Sequence, residues 1–334
     1  MAAIGYVLSN EQSPPADLIE YGVAAEQAGF DMVWKSDHFH PWQDNQGHST
    51  LAWLTLAALG QRTERLVMGT GVTCPTYRYH PAIVAQAFAT LGVMYPGRIF
   101  LGVGTGEAVN EQAATGQWGD YDERAERLVE AVQLIRHLWT GQWVDHRGGY
   151  YEIHGKLYDP PSQPIPIYIA AGGEESMELA GRYGDGLVTG GEMLEQREAM
   201  DAFRKGTQDA GKNPDMLTIH VEHWVVLGGQ QEARRLAQKW RFSPKAWQKF
   251  VDNPDPREIQ RQAEAEVPLE DVTQKWIIGE DAQTHIEGLR KLIDAGATHI
   301  YVHSPQEDQR RVIDFYAREV LPHVEHEMLM PLSG

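Results

Sequence analysis

The stretch AEQAGFDMVWKSDHFHPW, residues 25–42, decides how the chain is read. Its first half closes a helical pattern that opens at Asp17. Gly29 then stands where a helix C-terminus calls for a residue tolerant of positive φ. Residues 31–36 follow as a short apolar run, which ends in an acid, two histidines and a tryptophan. Helix, glycine, buried strand and then polar chemistry is the order of one repeat in a parallel α/β fold, where functional groups gather at strand C-termini. IDAGATHIYVHS, residues 293–304, shows the helix end, glycine and strand again near the other end of the chain.

Working outward from these two repeats, short apolar runs predict strands at 3–8, 31–36, 65–72, 98–104, 165–170, 185–189, 218–227 and 298–304. Helical periodicity falls between most of them, for example at 17–28, 81–94, 121–139, 176–183 and 282–295. Eight such units predict a closed (β/α)8 TIM barrel, a single domain over residues 1–334. Two segments break the rhythm. Residues 140–164 read as a hairpin with a Gly-Gly turn, and residues 240–275 carry extra helical pieces, SPKAWQKFV and DPREIQRQAEA. Insertions on such a barrel are expected over the C-terminal mouth of the strands.

The composition narrows the function. With 42% hydrophobic residues the chain can bury a large core, and no apolar run reaches the length of a membrane span. The start, MAAIGYVLSNEQ, has no basic segment or cleavage site of a secretory signal. Cys74 is the single cysteine, so no intrachain disulfide can form. A cytoplasmic protein is expected. The formal net charge of −18 makes nucleic acid an improbable partner and points to a small-molecule substrate.

Once the strands are placed, the unusual residues collect at one end of them. Glu11 follows the first strand; Asp37, His38, His40 and Trp42 follow the second. GTGVTCP (69–75) follows the third, its glycines marking a bulge or a close approach to ligand. Cys74 lacks a charged sequence neighbour to activate it and reads as packing. GVGTGEAVNE (102–111) is not a dinucleotide fingerprint, because Glu107 stands where the third glycine would be. It reads as a glycine-lined turn with Glu107 and Asn110 facing a flat ring. AAGG (170–173), before a helix near Glu174, is a candidate anion seat. A zinc site on His38, His40 and His48 would need histidines at later strand ends, which strands four to six lack; no metal is expected.

SDHFHPW, the segment from GTGVTCPTYRYHP to LGVGTGEAVNE, YIAAGG, GRYGDGL and VPLEDVTQKWIIGED together resemble the coenzyme F420-dependent glucose-6-phosphate dehydrogenase group of the luciferase-like barrel superfamily. The resemblance spans residues 5 to about 320. It implies a deazaflavin in the barrel mouth, resting on a bulge at Gly71–Val72 that carries a non-prolyl cis peptide, beside Cys74. Asp37, Thr105 and Asn110 would contact the deazaflavin, and Gly172 and Gly173 its phosphate. His38 would act as general base, Trp42 would stabilise the forming intermediate, Glu107 would handle the proton at the far side of the ring, and Glu11 would help place substrate. Homodimers are common in the group.

For a sugar 6-phosphate, Thr189 and Lys249 match the group's phosphate-binding positions. Glu192 falls near the place of a lysine, and Lys275 replaces an arginine and loses its bidentate fork. The resemblance therefore implies an F420-dependent sugar-6-phosphate dehydrogenase, with an alcohol or unphosphorylated-sugar dehydrogenase or reductase as the alternative. An FMN-dependent monooxygenase of the same superfamily and a non-catalytic ligand-binding barrel stay open beside it.

Overall fold

The computed structural model describes residues 2–244 and 247–324. Among them, eight parallel strands form the barrel: β1 (Ala3–Leu8), β2 (Met32–Lys35), β3 (Val67–Thr70), β4 (Leu101–Val103), β5 (Ile167–Ala170), β6 (Gly186–Gly190), β7 (Thr218–Leu227) and β8 (His299–His303). Their order is β3-β2-β1-β8-β7-β6-β5-β4. Isolated parallel bridges Met68–Ile99 and Thr73–Val103 bring β4 back to β3. Gly29 and Gly296 take φ of 91° and 107° at the helix ends read from sequence, and the strand follows directly in both places.

Alternation along β1 shows why the strands read as continuously apolar. Ile4, Tyr6 and Leu8 pack outward under the helices, whereas Ala3 and Val7 point into the barrel with Trp34, Phe100 and Tyr301. Both faces are buried, so both alternating sets must be apolar. Trp34 and Tyr301 stack at 3.8 Å inside the barrel.

A third apolar cluster lies over the mouth. The segment between β7 and β8 supplies Trp240, Phe242, Trp247, Val267, Val272 and Trp276 to it, against Trp224 and Trp42. DPREIQRQAEA folds as expected, Asp255 capping the helix Pro256–Glu266. SPKAWQKFV does not: none of its described residues, 243–244 and 247–251, is helical, 249–251 form a turn, and 245–246 lie outside the described residues. The stretch is too short to nucleate a helix alone. Trp247 is buried and its indole donates to Glu266, so side-chain docking sets the backbone there. The other insertion is the expected hairpin, Val144–Arg147 paired antiparallel with Glu152–Gly155. It lines no part of the mouth cavity among the described residues. The Tyr151 hydroxyl instead lies 2.9 Å from the carbonyl oxygens of Pro75 and Thr76, bracing the β3 loop from outside.

Closure between β3 and β4 needs glycine. A Cβ on Gly102 would lie 2.0 Å from the Thr70 carbonyl oxygen, and one on Gly69 2.4 Å from the Phe100 ring and carbonyl. Backbone atoms cannot yield as a flexible side chain would. Gly102→Ala should cost about 3 kcal/mol or more, seen as a melting temperature lowered by roughly 6 °C or more. An unchanged melting temperature would show that the seam is looser than this geometry.

Candidate active site

The strand ends open into one cavity of about 1270 Å³. Its floor carries Val7, Trp34, Val72, Ala170 and Val188; its upper wall is the aromatic layer of the β7–β8 segment. Glu11, His38, Trp42, Gly71, Val72, Thr105, Glu107, Gly172, Thr189, Glu192 and Lys275 all line it. Asp37, Cys74, Asn110, Gly173 and Lys249 are not among the lining residues.

The loop after β2 presents His38 at the cavity wall. Its Nδ1 lies 2.7 Å from Glu11 Oε1. The other carboxylate oxygen of Glu11 accepts from Ser9 at 2.8 Å and Ser36 at 2.9 Å. Burial alone would raise the Glu11 carboxyl, but the charge and hydrogen bond of His38 hold it down to about 2. Burial works against a charged His38 ring, yet Glu11 lifts it above the ordinary 6.5. With Nδ1 engaged, Nε2 is the nitrogen left for a ligand. Trp42 stands edge to face with His38, ring centres 4.7 Å apart, and stacks on Phe242 at 4.8 Å. Lys35, buried at the end of β2, donates to Asn10 Oδ1 at 2.7 Å and so ties the Glu11 loop to the His38 loop.

Asp37 and Asn110 sit behind this wall. Asp37 accepts from Thr73 at 2.7 Å and Tyr79 at 3.1 Å, and Arg78 donates to its main-chain oxygen at 2.8 Å. Asn110 Oδ1 accepts from the Phe39 and His40 amides at 2.9 and 3.4 Å, and its Nδ2 donates to Glu107 at 3.5 Å. Asn110 thereby holds the loop bearing His38 and the carboxylate of Glu107 together. Glu111, beneath them, is pushed up to about 7 by burial, with Arg78 opposing. Burial also raises the Cys74 thiol, which suits packing and not nucleophilic chemistry.

The Gly71–Val72 peptide is cis, as the resemblance implies. A Cβ on Gly71 would lie 2.5 Å from the Trp34 indole, and one on Gly104 2.9 Å from Val72. Glycine at both places keeps this side of the cavity flat. At Gly172 a Cβ would meet nothing within 4 Å, and one on Gly173 would touch only Ser176 Oγ, at 4.0 Å. Their amides face Ser176 Oγ at 3.2 and 3.1 Å, and the helix Glu174–Tyr183 begins there. His40 is not among the lining residues, and no metal-holding group of three His, Cys, Asp or Glu occurs among the described residues.

Of the residues matching a phosphate site, Thr189 donates to the Ala171 carbonyl at 2.8 Å. Lys249 pairs with Glu266 at 2.6 Å. Glu192, Glu266 and Asp271 line the same cavity as Lys275. Sequence reasoning missed Glu222, Trp224, Trp240 and His303 as lining residues. The signal was available for Glu222 and Trp224, which point alike at alternate positions of the long β7 run.

The luciferase-like monooxygenase family model matches residues 3–299. F420-dependent hydroxymycolic acid dehydrogenase of Mycobacterium tuberculosis is 49% identical over 320 residues, 96% of this chain and 87% of that protein. F420-dependent glucose-6-phosphate dehydrogenase of Mycolicibacterium gilvum is 43% identical over 331 residues, 96% of this chain and 97% of that one. A solved F420-dependent secondary alcohol dehydrogenase, in complex with an F420–acetone adduct, superposes with a TM-score of 0.91 at 34% identity, covering 97% and 99% of the two chains.

The pairing of His38 with Glu11 makes a direct prediction. In an NMR titration the His38 ring should lose its proton above pH 6.5. In Glu11→Gln, burial is left without its counterweight, and the value should fall below the wild-type one. An unchanged titration would mean that Glu11 does not set the charge of the ring.

Proposed function

The chain belongs to the luciferase-like monooxygenase family, and we propose that it is a coenzyme F420-dependent dehydrogenase of a neutral alcohol with an apolar body. The observation that carries this reading is the Glu11–His38 pair, set edge to face against Trp42 beneath an aromatic wall. F420 is the coenzyme in the names of the relatives and of the solved alcohol dehydrogenase.

The residues fit that group. Gly71, Val72, Gly104 and Ala170 offer a flat surface to a planar ring. Trp34 Nε1 is buried at this wall without a hydrogen-bond partner among the described residues, a donor suited to a ring carbonyl. Gly172 and Gly173 leave open space for a phosphate. When bound, F420 supplies the carbon that accepts hydride.

The chain's own part follows from its geometry. Nε2 of His38 takes the proton of the substrate hydroxyl, and Glu11 stabilises the resulting imidazolium through Nδ1. Trp42 bounds the reacting carbon and, with Phe242, excludes water. Asn110 keeps Glu107 facing the cavity, where its carboxyl would hold or release a proton beside a bound ring.

Charge favours a neutral substrate. A phosphate beside Glu192, Glu266 and Asp271 would face three acids, with Lys249 already paired to one of them. Indoles and phenyl rings favour an apolar body. The second reading, a sugar 6-phosphate, is favoured by Lys275 at the cavity wall and by the names of the relatives 40–43% identical to this chain.

With oxidised F420, 2-octanol or cyclohexanol should bleach the deazaflavin absorbance with kcat/KM at least about 100-fold above that for glucose 6-phosphate, the scale of one unpaired charge at a binding site. The reverse order would establish the second reading. His38→Ala should lower kcat by roughly 10²–10⁴-fold with F420 affinity kept. Because the base must be neutral, kcat/KM for oxidation should rise with pH through a step above 6.5, and the step should move down in Glu11→Gln. Turnover that survives His38→Ala would remove this residue from the base role.

A further inference from the structure

A second histidine–carboxylate pair stands in the cavity wall, built the opposite way round from the first. His303 Nδ1 lies 2.5 Å from Glu222 Oε1. Its Nε2 lies 3.0 Å from Gln12 Oε1, and the Gln12 amide is oriented by donating to the Ser304 carbonyl at 3.1 Å. Both ring nitrogens are therefore engaged by side-chain oxygens of the protein, and neither is left for a substrate. The ring is further clamped, stacked on Trp224 at 3.7 Å and edge-on to Trp240 at 5.1 Å.

In the Glu11–His38 pair the carboxylate is the more deeply buried member, with side-chain exposures of 3% and 8%, and the histidine is turned to the ligand. In the Glu222–His303 pair the order is reversed: the histidine is 5% exposed and the carboxylate 31%. Among the described residues no group donates to the second oxygen of Glu222, and both Glu222 and His303 line the cavity. The two pairs occupy adjacent strand ends, β2, β1, β8 and β7 in order, joined through the consecutive residues Glu11 and Gln12. The second carboxylate oxygen of Glu222 is thus an acceptor in the cavity wall that a donor on a ligand can meet.

We propose that Glu222, positioned by His303, is a specificity residue that accepts a hydrogen bond from a second donor on the substrate, a hydroxyl or amide N–H separate from the carbinol that reacts. This rests on the cavity being the substrate site. The substrate class it selects is an apolar-bodied alcohol with a further donor group, in place of a simple alcohol.

Cyclohexanol and trans-1,2-cyclohexanediol differ by one hydroxyl and serve as probes. Each is titrated by calorimetry into the protein, with and without reduced F420, so that binding is read without oxidation. The diol should bind about tenfold more tightly, the worth of one hydrogen bond to a charged group. Glu222→Gln should erase most of that ratio while cyclohexanol affinity stays within about twofold. His303→Phe, which keeps a ring on Trp224 but cannot hold the carboxylate, should erase it similarly, and it serves should the first variant fold poorly. Equal wild-type affinities, or a preference that survives both substitutions, would overturn the assignment. Absence of F420 turnover with any alcohol would instead count against the dehydrogenase reading and leave this binding ratio to be judged by itself.

Discussion

Closure of the barrel between β3 and β4 is the constraint on which the rest depends. Both strands are short, and the seam is made by a few main-chain bonds: Thr73 donates to Gly102 at 2.8 Å, and Gly104 to Thr73 at 3.1 Å. These bonds lie beside the cis peptide at Gly71–Val72. The seam thus sets the height of the ligand floor and also turns Thr73 toward Asp37. Without closure the eight strand ends would fan out along an open edge, and residues as far apart as Glu11, Glu107 and Lys275 would not share a cavity.

Polar groups buried behind the wall are arranged to hold loops, and those at the wall to meet ligand. Asn10, Lys35 and Asn110 use their hydrogen bonds on main chain and neighbouring side chains. Asp37 does the same through Thr73, Tyr79 and Arg78. His38, Glu107 and Glu222 are left facing open space. The division follows from the cost of an unmet buried polar group, which makes every buried partner a fixed one. The acidic surface charge of the chain continues into the cavity as Glu192, Glu266 and Asp271.

Much of this was legible in sequence because it is local. The runs at 3–8 and 218–227 match the strands residue for residue, and the helices Pro81–Met94 and Tyr121–Trp139 match as well. Glycine after a helix reports its own φ, and an apolar run between two glycines reports burial on both faces. The illegible parts are those whose conformation is set from a distance. SPKAWQKFV has helix-forming residues but is docked by its tryptophan. Glu222 and His303 are 81 residues apart and become a pair only when β7 and β8 are neighbours.

By itself the sequence determined the barrel, its order of elements and the end at which chemistry gathers, because periodicity, capping and strand burial are properties of neighbouring residues. It also determined the residue types at that end, and with them the resemblance to deazaflavin enzymes. Only the tertiary structure decided which of those residues reach the cavity and which are consumed behind it. Asp37 and Asn110 lie among the same loop residues as His38 and Glu107, yet the first two are spent on hydrogen bonds within the protein. Only the folded chain shows that distinction, because a side chain's free valence depends on partners that the sequence places far away.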